Sequence, residues 1–217
     1  MKVHVTASEE GIIPDHASLR VVPLVKQEVT SEMTDEQKQE VEAINKKYDE
    51  AEKKLTEKAE KEAYDIAGFL AYDISLVDAD GNKVEPNGDV KVTMDYKQSV
   101  IAEDAVQTVN DTEGIDSTAD LNVTVMHLEE DEKGNVKNVV DMVADENEEA
   151  NIKTTDEQSV QKAEFVSDSF SVFTLTWKTW SWTSVKIEVV DTEGNGIGSN
   201  FEGKSITTVT TLSEIAP

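Results

Sequence analysis

The chain opens on alternating apolar and polar positions: Val3/Val5, then Ile12/Ile13, Leu19/Val21 and Leu24, punctuated by Gly11, Pro14 and Pro23. This period of two predicts short strands over residues 2–29. From residue 34 the period changes. Val41, Ile44, Tyr48, Ala51, Leu55, Ala59, Ala63 and Ile66 fall at steps of three and four, which predicts one long helix over about 34–66 with a single narrow apolar stripe. Thr34 and Gln37 form a capping box at its start, and Asp35 and Glu36 favour the positive end of the helix dipole. Glu42–Lys46, Glu50–Lys54 and Glu57–Lys61 are i,i+4 pairs with the acid first. A stripe this thin covers one side of a sheet but cannot lie inside a core, and Gly68 reads as the end of the helix.

Strand grammar returns at Phe69. AYDISLV (71–77), VKVTM (90–94), LNVTVMHL (121–128), VKNVVDMV (136–143), AEFVSDSFSVFTLTW (163–177) and SVKIEVV (184–190) are separated by turn-rich segments. Asp80-Gly81-Asn82, Lys133-Gly134-Asn135 and Glu193-Gly194-Asn195 share one turn chemistry, since Gly and Asn tolerate positive φ. Phe173, Leu175 and Trp177 alternate and are expected to point into a core. The fold class is therefore mainly β: an antiparallel β-sandwich with one long helical insertion. The sandwich module is placed at 2–180, and 181–217 reads as a linker with the truncated first strands of a following β domain.

Composition narrows the chemistry. The 217 residues contain no cysteine, so disulfides and thiolate chemistry are excluded. The 46 acidic against 20 basic residues give a net charge of -26, which disfavours nucleic acid and anionic membrane as partners. Arg20 is the sole arginine, so a bidentate phosphate clamp cannot be assembled. Residues 103–157 carry 17 acids and only Lys133, Lys137 and Lys153, which predicts solvated, mobile loops there. Residues 1–10 hold no apolar run behind a basic start, and no stretch approaches the roughly 20 apolar residues of a membrane span. The chain reads as a monomeric piece of a longer multidomain protein.

The segments FLAYDISLVDADGNKVEPNGDVKVTM (69–94), LNVTVMHLEED (121–131) and FVSDSFSVFTLTW (165–177) resemble a recurring module of large cell-wall-anchored surface proteins of gut Firmicutes, a pattern shared with ZU5-like β-sandwiches. Tyr72, Asp73, Ile74, Ser75, Asp78, Gly81, Glu85, Pro86, Val90, His127, Asp168, Ser169, Phe170, Ser171 and Phe173 carry the resemblance. SVKIEVVDTEGNGI resembles the opening of a Cna-B or SpaA-like domain, with Val189 where that family places its isopeptide lysine. The resemblance implies an extracellular, wall-associated adhesin-like protein. Some surface proteins of this layout are B-cell superantigens that bind immunoglobulin variable domains.

No catalytic constellation stands out. His4, His16 and His127 are scattered, and Asp168-Ser169 with a distant His127 lacks a nucleophile-elbow context. Asp78, Asp80 and Asn82 begin like a calcium loop but Lys83 stands where glycine is required; Asp191, Glu193, Asn195 and Glu202 match the spacing better, with strand flanks in place of helices. The acid clusters Glu129–Glu132 and Glu146–Glu149 could hold calcium weakly, so no cofactor is expected beyond a weak calcium effect. The reading is a non-catalytic module that binds a host protein, immunoglobulin first, with a ligand-free spacer as the alternative. The expected binding residues are Lys46, Lys47, Glu50, Lys53, Lys54 and Glu57 on the outer helix face, Tyr48 and Tyr64 at its margin, and Trp180 and Trp182 beyond the last strand.

Overall fold

The computed structural model describes residues 1–112, 115, 117–131, 133–143 and 150–180. In chain order its elements are β1 (Lys2–Ala7), β2 (Ser18–Leu24), α1 (Asp35–Glu62), β3 (Tyr64–Val77), β4 (Lys83–Val84), β5 (Val90–Val100), α2 (Glu103–Asp111), β6 (Asn122–Glu130), β7 (Val136–Asp141), β8 (Asn151–Thr154), β9 (Val160–Ser167) and β10 (Val172–Trp180). One sheet has the order β1-β5-β9-β8; the other runs β2-β3-β10-β6-β7, with β4 also paired to β3. Every pairing is antiparallel.

The two sheets share one apolar core. Val92, Met94 and Phe165 of the four-stranded sheet meet Ile74, Phe173, Leu175 and Trp177 of the larger one. The alternation Phe173, Leu175, Trp177 therefore points inward as expected, and all three are 0% exposed. The intervening Thr174 and Thr176 face the other way and hydrogen-bond each other at 2.8 Å.

That other face is covered by α1, which adds a third layer. Ala51, Leu55 and Ala59 of the helix pack on Phe69, Ala71, Met126, Leu128 and Val172 of the sheet. The apolar stripe is spent on the sheet, as its width predicted, and burying Leu55 alone contributes about 1.5–3 kcal/mol.

The predicted capping box is present: Gln37 N–H donates to Thr34 Oγ1 at 3.2 Å, and Thr34 N–H donates to Gln37 Oε1 at 2.9 Å. The other end differs from expectation. The helix stops at Glu62, Ala63 takes a left-handed φ of 57°, and Tyr64 already belongs to β3. Tyr64 and Ile66 lie on a strand, so the last turn predicted for 34–66 does not form.

Gly68 serves packing and does not end the helix. Opposite β10, the register slips between Trp177/Gly68 and Lys178/Ile66, which leaves Ala67 as a bulged residue. The bulge re-aims the strand, and Thr108 of α2 donates its hydroxyl to the Ala67 carbonyl at 2.8 Å. A Cβ on Gly68 would lie 2.5 Å from the Ala105 backbone nitrogen. Gly68→Ala is therefore expected to cost about 1–3 kcal/mol through overpacking, read as a lowered urea midpoint; an unchanged midpoint would show that α2 yields freely.

α2 is itself a correction. Residues 103–111 were expected in solvated loops, but they form a helix whose Ala105 is 0% exposed and joins the inter-sheet core. The acid-rich composition concealed it, because Ala105 and Val109 are too few to show a helical period.

Candidate functional site

The expected binding face of α1 divides into two parts. Glu42, Lys46, Asp49, Lys53, Thr56 and Glu60 are exposed and lie opposite the buried stripe. Lys47, Glu50, Lys54 and Glu57 are half-buried and turn toward the β6–β7 side, so they do not belong to the free outer face. Glu50 accepts the Val136 N–H of β7 at 3.2 Å. Lys54 donates to Glu57 at 3.0 Å, which holds the Glu57 carboxyl below its ordinary range.

Lys47 contacts Asp73 directly and lies 3.9 Å from Glu130. Lys83 of β4 reaches the same acids, at 3.4 Å from Asp73 and 4.0 Å from Glu130. Two lysines and two carboxylates thus tie the helix flank, β3, β4 and β6 together. Burial raises the Glu130 carboxyl above its usual range, and the two lysines oppose that rise. Lys47, Lys83 and Glu130 open onto a groove of about 640 Å³, lined also by Glu85, Lys133, Ser169 and Phe170. Glu85 accepts the Phe170 N–H at 2.8 Å, and burial raises its carboxyl as well.

The tyrosines are placed differently from each other. Tyr48 stacks on Phe69 with ring centroids 4.9 Å apart, wedged between helix and sheet, while Lys26 lies over its ring. Tyr64 is 8% exposed within β3, covered by Lys178, and its hydroxyl is pushed up to about 12, chiefly by burial. Tyr64 is therefore not at the margin of an outer helix face, whereas Tyr48 stays on α1 and keeps part of its surface exposed. Trp180 ends β10, but its side chain and all of Trp182 fall outside the described residues, as do Glu146–Glu149 and the Asp191–Glu202 turn.

His127 does not complete a triad with Asp168 and Ser169. Its Nε2 lies 2.9 Å from Ser171 Oγ, and that hydroxyl donates to the Leu128 carbonyl at 2.6 Å. With the serine proton committed, the imidazole must donate through Nε2 and cannot accept that proton. The ring stacks on Phe173 at 4.1 Å, and burial lowers its pKa to about 4. His127 is a neutral structural group in the core.

The Asp78 turn is also self-satisfied. Asp78 Oδ1 accepts the N–H groups of Asp80 and Asn82 at 2.9 and 2.8 Å, and Asn82 Nδ2 donates to Oδ2 at 3.1 Å. These donors hold the carboxyl below its ordinary range. Asp131 does the same for Lys133 and Asn135. The shared Asp-x-x-Gly-Asn chemistry makes hairpin turns with Gly81 and Gly134 at φ of 85° and 77°. No group of three or more His, Cys, Asp or Glu side chains is arranged to hold a metal among the described residues.

No helix among the described residues is long and apolar enough to cross a membrane. Comparison with known proteins returned no matching family model, no matching curated protein and no matching solved structure.

Proposed function

We propose that this chain is a non-catalytic recognition module of a bacterial cell-surface protein and that it binds a host protein through the outward face of α1. A host immunoglobulin variable domain is the named partner, on the strength of the sequence resemblance. One observation carries the choice of surface. The helix lies outside a pair of sheets that already bury their shared core, so its outer row is left over after folding is satisfied. With 28 residues it offers a rigid platform about 42 Å long. Glu42, Lys46, Asp49, Lys53 and Glu60 mix both charge signs along it, so a folded protein can approach without meeting a single-sign field.

The test is binding of immobilised immunoglobulin Fab fragments by the wild-type chain and by the double variant Lys46→Glu/Lys53→Glu. Both side chains are exposed, and Lys53 makes only a 3.9 Å pair with Glu57. The variant should keep its stability within about 1 kcal/mol while binding weakens about tenfold or more at physiological salt. Unchanged binding would move the surface elsewhere. Absence of wild-type binding to immunoglobulin, and to serum and mucin proteins as well, would leave the spacer role in its place.

A further inference from the structure

The outer face of the four-stranded sheet, on the side of the molecule away from α1, runs against the charge of the whole. Backbone register fixes the residues that share it. One row across the sheet is Lys2, Asp95, Lys162, Lys153; the next is His4, Thr93, Glu164, Asn151; a third is Thr6, Lys91, Val166. Their inward neighbours Val92, Met94, Ala163 and Phe165 are buried, which confirms the direction of each strand's faces. Lys97 continues the exposed series on β5. Among the described residues, these rows bring four lysines and a histidine together with two carboxylates, with Lys97 exposed just beyond them, on a protein whose net charge is -26.

The arrangement carries a cost. Lys153 and Lys162 are directly opposed on β8 and β9, and like charges so placed destabilise a sheet. Glu164 offsets part of this, lying 3.0 Å from Lys162 and 3.4 Å from Lys91, and those lysines hold its carboxyl below the ordinary range. Lys2, Lys97 and Lys153 make no ion pair among the described residues. Protection against edge-to-edge pairing accounts for lysines on the edge strands β1 and β8. It does not account for Lys91 and Lys162, which are paired inside the sheet on β5 and β9.

We infer that this sheet face is a second binding surface, distinct from the helix, for an acidic glycan bearing sulfate or carboxylate groups. Adjacent strands lie about 4.8 Å apart, so a row of four spans about 14 Å, enough for several charged groups along an extended chain. Among the described residues the face has no arginine and no aromatic anchor, the residues that dominate protein–protein hot spots. Lysine is a point charge that needs no planar partner, which suits sulfate carried at varied angles. Thr6, Thr93 and Asn151 add neutral groups for sugar hydroxyls. The acidic remainder of the molecule does not cancel the patch at physiological salt, because charges beyond a Debye length of about 8 Å are screened.

The probe is dextran sulfate immobilised on a sensor, with uncharged dextran and poly-glutamate in parallel, all at physiological salt. The wild-type chain should bind dextran sulfate and release at about 1 M salt, with no binding to dextran. The variant Lys2→Glu/Lys97→Glu/Lys153→Glu breaks no ion pair of the described residues and should keep its fold by circular dichroism while binding weakens about tenfold or more. Lys46→Glu/Lys53→Glu, on the opposite side, should bind dextran sulfate like the wild type, which separates this surface from the helix reading. A wild-type chain that ignores dextran sulfate, or a triple variant that binds it equally, overturns the inference. Poly-glutamate binding as tightly as dextran sulfate also overturns it, in favour of an acidic polypeptide.

Discussion

Trp177→Ala is expected to lower stability by about 3–5 kcal/mol, the largest single effect in this fold. The indole is 0% exposed at the centre of the inter-sheet core. It also bridges the sheets, because its Nε1–H donates to the Gln158 carbonyl at 2.8 Å. Gln158 sits in the β8–β9 turn with a left-handed φ of 55°, held by its own N–H to the Thr155 carbonyl at 3.1 Å. Truncation thus opens a cavity in one sheet and leaves a turn carbonyl of the other without its donor. Trp177→Phe separates the two contributions: it keeps most of the volume and loses the hydrogen bond, so about 1–3 kcal/mol should go. Urea unfolding followed by circular dichroism measures both, and a loss below 1 kcal/mol for Trp177→Ala would show that the two sheets do not depend on this side chain.

The sequence made the parts of this fold that rest on period visible. The helical stripe of Val41, Ala51, Leu55 and Ala59 and the period-two series Phe173, Leu175, Trp177 each place one face against a partner, so pattern alone gives their direction. The Thr34–Gln37 box and the Gly81 and Gly134 turns were legible because their chemistry is local. What stayed hidden depends on a distant neighbour. Gly68 reads as a helix stop until α2 is known to press on its α-carbon. Ile66 fits the end of the helical stripe and is nevertheless strand, because its register with Lys178 on β10 outweighs a continued helical turn. Residues 163–177 read as one apolar strand region, yet Asp168–Ser171 divide it between two sheets.

The candidate surfaces were legible to a smaller degree. Lys46 and Lys53 emerge where helical spacing puts them, but the spacing could not tell that Lys47 reaches down to Asp73 and Glu130, since those acids lie 26 and 83 positions away in sequence. The basic sheet face was invisible for the same reason. Its lysines are spread over residues 2–162 in a chain rich in acids, and only the antiparallel register collects them into adjacent rows. Average charge disfavours polyanions, whereas local charge on one face determines which ligand can approach that face.

Leu55→Ala is expected to cost about 2–5 kcal/mol, because the side chain is 0% exposed between α1 and the larger sheet. The magnitude decides how the helix takes part in the fold. If α1 were a loosely attached arm, held only by its surface ion pairs, truncating Leu55 would loosen the helix and leave the sandwich unfolding at the same urea concentration. Exposed pairs such as Lys26–Asp49 contribute too little to hold a 28-residue helix in place. The Ala51, Leu55 and Ala59 contacts with Phe69, Met126, Leu128 and Val172 must therefore carry the attachment. Those strand residues belong to β3, β6 and β10, whose opposite faces form the inter-sheet core, so loss on one side should be felt on the other. Helix ellipticity and tryptophan fluorescence should then shift together to lower urea in Leu55→Ala. Separate transitions, with the fluorescence midpoint unmoved, would show that α1 folds apart from the sandwich and cannot serve as a rigid platform for a partner.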